Sequence, residues 1–209
     1  MNEAIKLILW DFGGVLTKSP LLKFTEYEIQ SNITKGTIIK INSHNKLNNA
    51  WAKLEKNIID KKKFSELFLR EAKELNINEK LDIDKILDCL NVELETTIVD
   101  VFFKIKKKIP VACLTNNIST DINGISNNTF DNFKNNFNSV FESSKLGLRK
   151  PEEEIYKHVL LKLNLLPENI LFIDDLGINL KPAKKLGFNT FKAENPKDTK
   201  KFLVKFLGI

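Results

Sequence analysis

Short runs of apolar residues alternate along this chain with longer stretches in which apolar residues recur at three- and four-residue steps. The short runs predict β-strands at residues 5–10, 110–114, 138–142, 170–173 and 188–191. The longer period predicts helices at residues 94–108, 119–125 with 130–135, 152–163, 178–186 and 197–207. Strands that alternate with helices are typical of an α/β fold with a parallel sheet.

Residues 19–92 depart from this alternation, because only the helical period continues through them; Phe64 and Phe68 are an example. The stretch is too long for a simple strand–helix–strand crossover. We therefore expect a helical cap over the carboxyl end of the sheet, where open α/β sheets bind their ligands. This interpretation divides the chain into a core of residues 1–18 and 93–209 and a cap of residues 19–92.

The composition narrows the class of protein. Of 209 residues, 42% are hydrophobic and 29% charged, as in a globular domain. No segment approaches the roughly 18 apolar residues of a membrane span, and the N-terminus lacks a signal-peptide layout. We therefore expect a cytoplasmic protein without membrane association. The net charge of +6 suits an anionic ligand, but the lysines are scattered and not interleaved with aromatic residues, so we expect no nucleic-acid binding.

Polar residues stand at or just after the carboxyl ends of the first four predicted strands. In a parallel sheet these ends converge on one crevice, so residues far apart in sequence become neighbours. In chain order the residues are Asp11, Thr115, Asn116, Lys150, Asp174, Asp175 and Asn179. Taken singly, each has an ordinary structural interpretation, such as a turn or a helix N-cap. Their common position at strand ends favours one site.

The residue types in this set suit the transfer of a phosphoryl group. Asp11 and Asp175 supply the hard oxygen ligands that Mg²⁺ prefers, and the Gly13 carbonyl can add a further ligand. The Thr115 hydroxyl and nearby backbone N–H groups can hold phosphoryl oxygens. Lys150 offers positive charge to the transition state.

Two further residues are expected to hold the residues of this set in position. Asp174 is better suited to orient the metal shell or Lys150 than to bind metal directly, and Asn179 is expected beside it. In the cap, Trp51, Glu55, Lys53 and Lys23 are candidates for substrate specificity, although a solvated helix face is the expected place of the charged ones.

The segments at the four strand ends resemble the motifs of the haloacid dehalogenase (HAD) superfamily, and the resemblance covers nearly the whole chain. The segments are residues 10–16, 114–117, 148–151 and 172–175. Residues 13–20, 51–55 and 174–181 resemble most closely the domains fused to epoxide hydrolases and to an acyl-CoA dehydrogenase. The resemblance implies a three-layer, Rossmann-like core with sheet order 3-2-1-4-5 and a helical cap inserted after the first strand.

The resemblance also implies a role for each matched residue. Asp11 would be the nucleophile that becomes an aspartyl-phosphate, and Thr115 and Asn116 would bind the phosphoryl group. Lys150 would stabilise that group, and Asp175 would ligate Mg²⁺. The implied activity is that of a Mg²⁺-dependent phosphatase acting on a small phosphorylated metabolite.

The chain departs from the family pattern at Gly13. Phosphatases of the family usually carry a second aspartate there, which protonates the leaving group and later activates water. Such assistance is worth about 10²–10⁴-fold in rate, so we expect slow hydrolysis of ordinary alkyl phosphates. Relatives with this glycine include enzymes regarded as sugar-phosphate phosphatases.

Two other functions remain open from the sequence. A catalytically degenerate phosphate-ligand binding protein has Gly13 as its only support. A 2-haloacid dehalogenase would use Asp11 to displace halide from carbon; that reaction needs no metal, so Asp174 and Asp175 would have no evident use.

Overall fold

A five-stranded parallel sheet forms the centre of the computed structural model, which describes residues 5–119 and 128–208. The strand order is β3-β2-β1-β4-β5, as expected from the sequence. Each strand begins and ends within two residues of its predicted position. The strands are β1 (Leu7–Trp10), β2 (Val111–Thr115), β3 (Ser139–Glu142), β4 (Ile170–Asp174) and β5 (Asn189–Lys192).

The helical period across residues 19–92 forms helices that share a hydrophobic cluster of their own. Trp51 contacts the rings of Phe24, Phe64 and Phe68 at centroid distances of 5.7, 5.4 and 6.2 Å. Phe64 and Phe68 reach the same partner because residues four apart share one face of a helix. The helices are α1 (Pro20–Gln30), α2 (Thr37–Ser43), α3 (Ala50–Glu55), α4 (Lys61–Glu74) and α5 (Ile83–Asp88), called below the inserted helices.

Further helices cover both faces of the sheet and complete three layers. Alternate side chains of β1 point to opposite faces. Ile8 and Trp10 pack with α6 and α11, whereas Leu7 and Leu9 pack with α9 and α10. These helices are α6 (Thr96–Lys106), α7 (Asn128–Phe133), α8 (Ser143–Leu146), α9 (Glu153–Leu163), α10 (Gly177–Lys185) and α11 (Pro196–Leu207). Residues 120–125 of the helix predicted at 119–125 lie outside the described residues.

The register of the strands brings their carboxyl ends to one level. Trp10, the last residue of β1, is opposite Cys113 of β2 and Ile173 of β4. The Asp11 N–H continues this pairing by donating to the Ile173 carbonyl at 2.8 Å. The side chains that follow β1, β2 and β4 therefore start from the same edge of the sheet. Within the described part of the chain, no helix is long and apolar enough to cross a membrane.

Candidate active site

Lys150 lies between two carboxylates at this edge of the sheet. Its ammonium is 2.8 Å from Asp11 Oδ1 and 2.7 Å from Asp174 Oδ2, and only 1% of its side chain is exposed. Burial lowers the pKa of Lys150, but the charges and hydrogen bonds of the two carboxylates outweigh burial and raise its pKa above the usual value. Lys150 therefore holds a fixed positive charge inside the site.

Asn116 fixes the backbone of Lys150. Its Oδ1 accepts a hydrogen bond from the Lys150 N–H at 2.9 Å, and its Nδ2 donates to the Lys150 carbonyl at 3.0 Å. This reciprocal pair joins the loop after β2 to the loop after β3. The side chain of Asn116 is thus engaged with the backbone of Lys150.

Asp174 is fully buried, and both of its oxygens have partners. Its Oδ2 accepts from Lys150, and its Oδ1 accepts from the Leu176 N–H at 2.8 Å. Asn179 Nδ2 lies 3.1 Å from each oxygen. This arrangement suits the supporting role expected of Asp174 and Asn179, since a carboxylate with occupied oxygens holds its neighbours in place.

The carboxylates of Asp11, Asp174 and Asp175 each offer an oxygen, and these atoms lie within 4.8 Å of one another. Burial and the nearby Asp174 carboxylate together raise the pKa of Asp175 to about 6. Burial also raises the pKa of Asp11 well above its usual range, although Lys150 opposes this effect. Ionised carboxylates are therefore costly here without additional positive charge.

The charge balance of this cluster fits a divalent cation. Three carboxylates face one ammonium, which leaves an excess of two negative charges when all are ionised. Mg²⁺ would supply that charge, and carboxylate oxygens are the ligands that it prefers. Both oxygens of Asp174 already accept hydrogen bonds, so Asp11 and Asp175 are the carboxylates with more capacity to bind it.

The two glycines after Asp11 differ in what surrounds them. A Cβ added to Gly13 would meet no heavy atom within 4 Å, so the space for a side chain is open. Gly14 has a φ of +76°, a conformation that favours glycine. A Cβ on Gly14 would clash with Asp175 Oδ2. Only glycine at position 14 therefore lets the Asp175 carboxylate approach the turn.

A cavity of about 440 Å³ connects these residues to the inserted helices. Residues from the sheet edge that line it include the predicted Asp11, Gly13, Thr115, Asn116, Lys150, Asp175 and Asn179. The inserted helices contribute Phe24, Ile39, Trp51 and Glu55. The structure thus brings the predicted site residues together, with the buried Asp174 behind them.

The candidates for specificity from the inserted helices have different surroundings. Trp51 and Glu55 line the cavity, whereas Lys23 forms a surface ion pair with Glu26. Arg149 also lines the cavity, and sequence reasoning assigned it no role. Its position directly before Lys150 was the only available signal.

Contacts at the end of α3 join the inserted helices to the rest of the chain. Arg149 Nη2 lies 2.6 Å from Glu55 Oε2, and Lys56 Nζ lies 2.8 Å from Glu152 Oε1. Ser143 Oγ donates to the Glu55 carbonyl at 2.7 Å. The cavity wall at Glu55 is thus attached to the loops that follow β3.

A family model described as haloacid dehalogenase-like hydrolase matches residues 5–187. The chain is 31% identical to Acyl-CoA dehydrogenase family member 10 of Mus musculus over 212 residues. This match covers 99% of this chain and 20% of that protein. It is 39% identical to Bifunctional epoxide hydrolase 2 of Rattus norvegicus over 72 residues. This match covers 34% of this chain and 13% of that protein. The chain spans a fifth or less of these two relatives, and the expected resemblance to both is confirmed.

Two bacterial proteins are similar to the chain at comparable size. D-ribitol-5-phosphate phosphatase of Bacteroides thetaiotaomicron is 35% identical over 69 residues, which are 33% of this chain and 34% of that protein. The crystal structure of HAD family enzyme bt-2542 from Bacteroides thetaiotaomicron, in its magnesium complex, matches with a TM-score of 0.61 and 25% identity. The match covers 90% of this chain and 93% of that chain.

Proposed function

The chain belongs to the family of haloacid dehalogenase-like hydrolases, and we propose that it is a Mg²⁺-dependent phosphatase that forms an aspartyl-phosphate on Asp11. The observation that carries the proposal is the buried Asp11–Lys150–Asp174 arrangement beside Asp175. In this proposal Asp11 is the nucleophile, Lys150 is the fixed cation, and the carboxylates of Asp11 and Asp175 bind the metal at one end of the cavity. The phosphatase among the relatives and the magnesium complex of the bacterial neighbour support the same proposal.

In the first step, an oxygen of Asp11 attacks the phosphorus of a phosphate monoester, and the bond from phosphorus to the ester oxygen breaks. Lys150 and the Thr115 hydroxyl stabilise the negative charge on the remaining phosphoryl oxygens. Mg²⁺ held by Asp11, Asp175 and the Gly13 carbonyl would neutralise further charge on these oxygens. Water then attacks the phosphorus of the aspartyl-phosphate, which releases inorganic phosphate and restores the Asp11 carboxylate.

The departing oxygen limits which substrates react quickly. No side chain at Gly13 can protonate it, so the oxygen must leave as an anion or take its proton from water. Anomeric phosphates of sugars and acyl phosphates have better leaving groups than alkyl phosphates and suit such a site. We propose that the inserted helices act as the cap that admits such a small phosphorylated metabolite. A cytoplasmic location stays a prediction.

The two competing functions fit the geometry less well. A dehalogenase gains nothing from three clustered carboxylates, and their negative charge would repel the halide that leaves. A degenerate binding protein is favoured only by the open space at Gly13. It would not need a carboxylate held beside a buried lysine as Asp11 is.

The test is phosphate release from a panel of phosphorylated metabolites, with and without Mg²⁺. We expect release that requires Mg²⁺ and that is abolished by Asp11→Asn, which keeps the size of the side chain. Asp84→Asn is a matched control, because Asp84 is 72% exposed in a surface ion pair. Release without Mg²⁺, or release that survives in Asp11→Asn, would contradict the proposal. Metal-independent halide release would indicate a dehalogenase.

A further inference from the structure

Glu55 is a carboxylate of the inserted helices that lines the cavity and is almost fully enclosed by protein. Its side chain is 11% exposed. Its Oε2 accepts a hydrogen bond from Arg149 Nε at 2.6 Å, and Arg149 Nη2 lies 2.6 Å from the same oxygen in an ion pair. Its Oε1 accepts from Trp51 Nε1 at 3.0 Å. Glu55 therefore has partners on both oxygens and little contact with water.

The surroundings of Glu55 keep it in one position. Trp51 is held by the rings of Phe24 and Phe64, and the Glu55 carbonyl accepts from Ser143 Oγ at 2.7 Å. Side chain and backbone are thus fixed independently. A group that is fixed before a ligand arrives discriminates between ligands without losing conformational freedom on binding.

Glu55 and the glycine next to the nucleophile line the same space. In addition to the main cavity, Glu55 and Gly13 both line a space of about 90 Å³, together with Thr115 and Asn116. The volume at Gly13 is open, since a Cβ there would meet no heavy atom within 4 Å. An ester whose organic part occupies this space is bounded on one side by Glu55.

The carboxylate has capacity for one more hydrogen bond. Two carboxylate oxygens offer about four acceptor sites, and the contacts of Glu55 with Arg149 and Trp51 occupy three of them. Because its oxygens already accept hydrogen bonds from Arg149 and Trp51, we assign Glu55 the role of an acceptor and not that of the missing acid at Gly13. Glu55 can accept a hydrogen bond from a donor group of the substrate.

We propose that Glu55 is a specificity-determining residue that accepts a hydrogen bond from a substrate hydroxyl near the ester oxygen. The inference rests on the proposed phosphatase function and names its substrate class, the phosphate esters of neutral polyhydroxylated compounds. An ester without that hydroxyl leaves the acceptor of an enclosed carboxylate unpaired, which is costly. An ester with a second carboxylate at that position is repelled by the charge of Glu55.

The test compares the anomeric phosphate of a sugar (the polyol ester) with its deoxy analogue, in which the hydroxyl next to the ester carbon is replaced by hydrogen. We expect the wild-type protein to prefer the polyol ester by about 10- to 100-fold in kcat/KM, the range for one hydrogen bond to a charged group. Glu55→Gln, which removes the charge at nearly constant size, should reduce this ratio about tenfold. Equal kcat/KM values for the two esters in the wild-type protein would overturn the inference, whether or not the variant folds.

A neighbouring ion pair supplies the control for a purely structural role. Lys56 pairs with Glu152 at 2.8 Å and joins the same end of α3 to the same loop. Lys56→Gln should leave the ratio unchanged, because a loosened wall affects both esters alike. An equal change of the ratio in Lys56→Gln and Glu55→Gln would contradict a role in specificity.

A measurement of binding tests this inference independently of the proposed function. Calorimetry with the Asp11→Asn variant and Mg²⁺ measures affinity for the two esters without turnover. Preferential binding of the polyol ester, lost in the variant that also carries Glu55→Gln, supports the role of Glu55 even if the wild-type protein releases no phosphate. Absent turnover would refute the proposed function alone, and equal binding of the two esters would refute this inference alone.

Discussion

Gly13→Asp is the substitution that tests most specifically what limits this site. The added Cβ meets no heavy atom within 4 Å, and the backbone of Gly13 does not have the positive φ found at Gly14. The Cβ of an aspartate therefore fits without displacing its neighbours. The nearby carboxylates of Asp11 and Asp175 would raise the pKa of the new carboxyl group and so favour the protonated form that acts as an acid.

The expected gain follows from the chemistry of the leaving group. General acid assistance contributes about 10²–10⁴-fold, equivalent to about 3–5 kcal/mol of transition-state stabilisation. The added negative charge at Gly13 opposes part of this gain when the carboxyl ionises, so we expect the lower end, about 10²-fold, for alkyl phosphates. Aryl phosphates should gain little, because their leaving groups depart without a proton.

The assay is kcat/KM for a series of phosphate esters whose leaving groups differ in pKa. The wild-type protein should show a steep dependence on leaving-group pKa, and Gly13→Asp should flatten it. Gly13→Asn is the matched control, because it fills the same space without supplying an acid. An alkyl phosphate rate that is unchanged or lower in Gly13→Asp, with unchanged affinity for Mg²⁺, would refute the account of the missing acid. An equal gain in Gly13→Asn would refute it as well.

Three further predictions concern the metal and the buried charges. Gly14→Ala places a Cβ against Asp175 Oδ2, so Mg²⁺ affinity measured by calorimetry should fall at least tenfold; unchanged affinity would show that Asp175 is not a ligand. Lys150→Met leaves buried carboxylates without their cation, so the free energy of unfolding measured with urea in the absence of Mg²⁺ should fall by about 3–5 kcal/mol. A decrease below about 1 kcal/mol would contradict the buried ion pairs. The pKa of Asp175 near 6 means that protons compete with Mg²⁺; affinity should fall as pH decreases through about 6, and a pH-independent affinity would argue against this competition.

The predictable part of this structure depends on rules that act locally. Asp11 and Asp174 could be placed together from sequence because both follow buried strands, and parallel strands end at one edge of the sheet. Gly187 ends α10 with a φ of +98°, as its position after the helical period indicates. Such features require only the period of apolar residues and the residue types at element ends.

The rest depends on how distant elements pack. The bond from Arg149 to Glu55 joins residues 94 positions apart, and neither residue follows a pattern that marks the pair. The contact of the Asn116 side chain with the Lys150 backbone was not predicted. Sequence spacing places Asn116 at the carboxyl edge of the sheet, but only the packing of the two loops decides which way its amide points.

The most direct test of the central claim is to trap phosphate on Asp11. A protein without an acid–base residue at Gly13 should hydrolyse its aspartyl-phosphate slowly, so the intermediate should accumulate during turnover. Acid quenching of the wild-type protein with Mg²⁺ and an aryl phosphate, followed by peptide mass spectrometry, should then reveal one phosphoryl group on Asp11 that hydroxylamine removes. Turnover with no covalent phosphate on Asp11 would contradict the account.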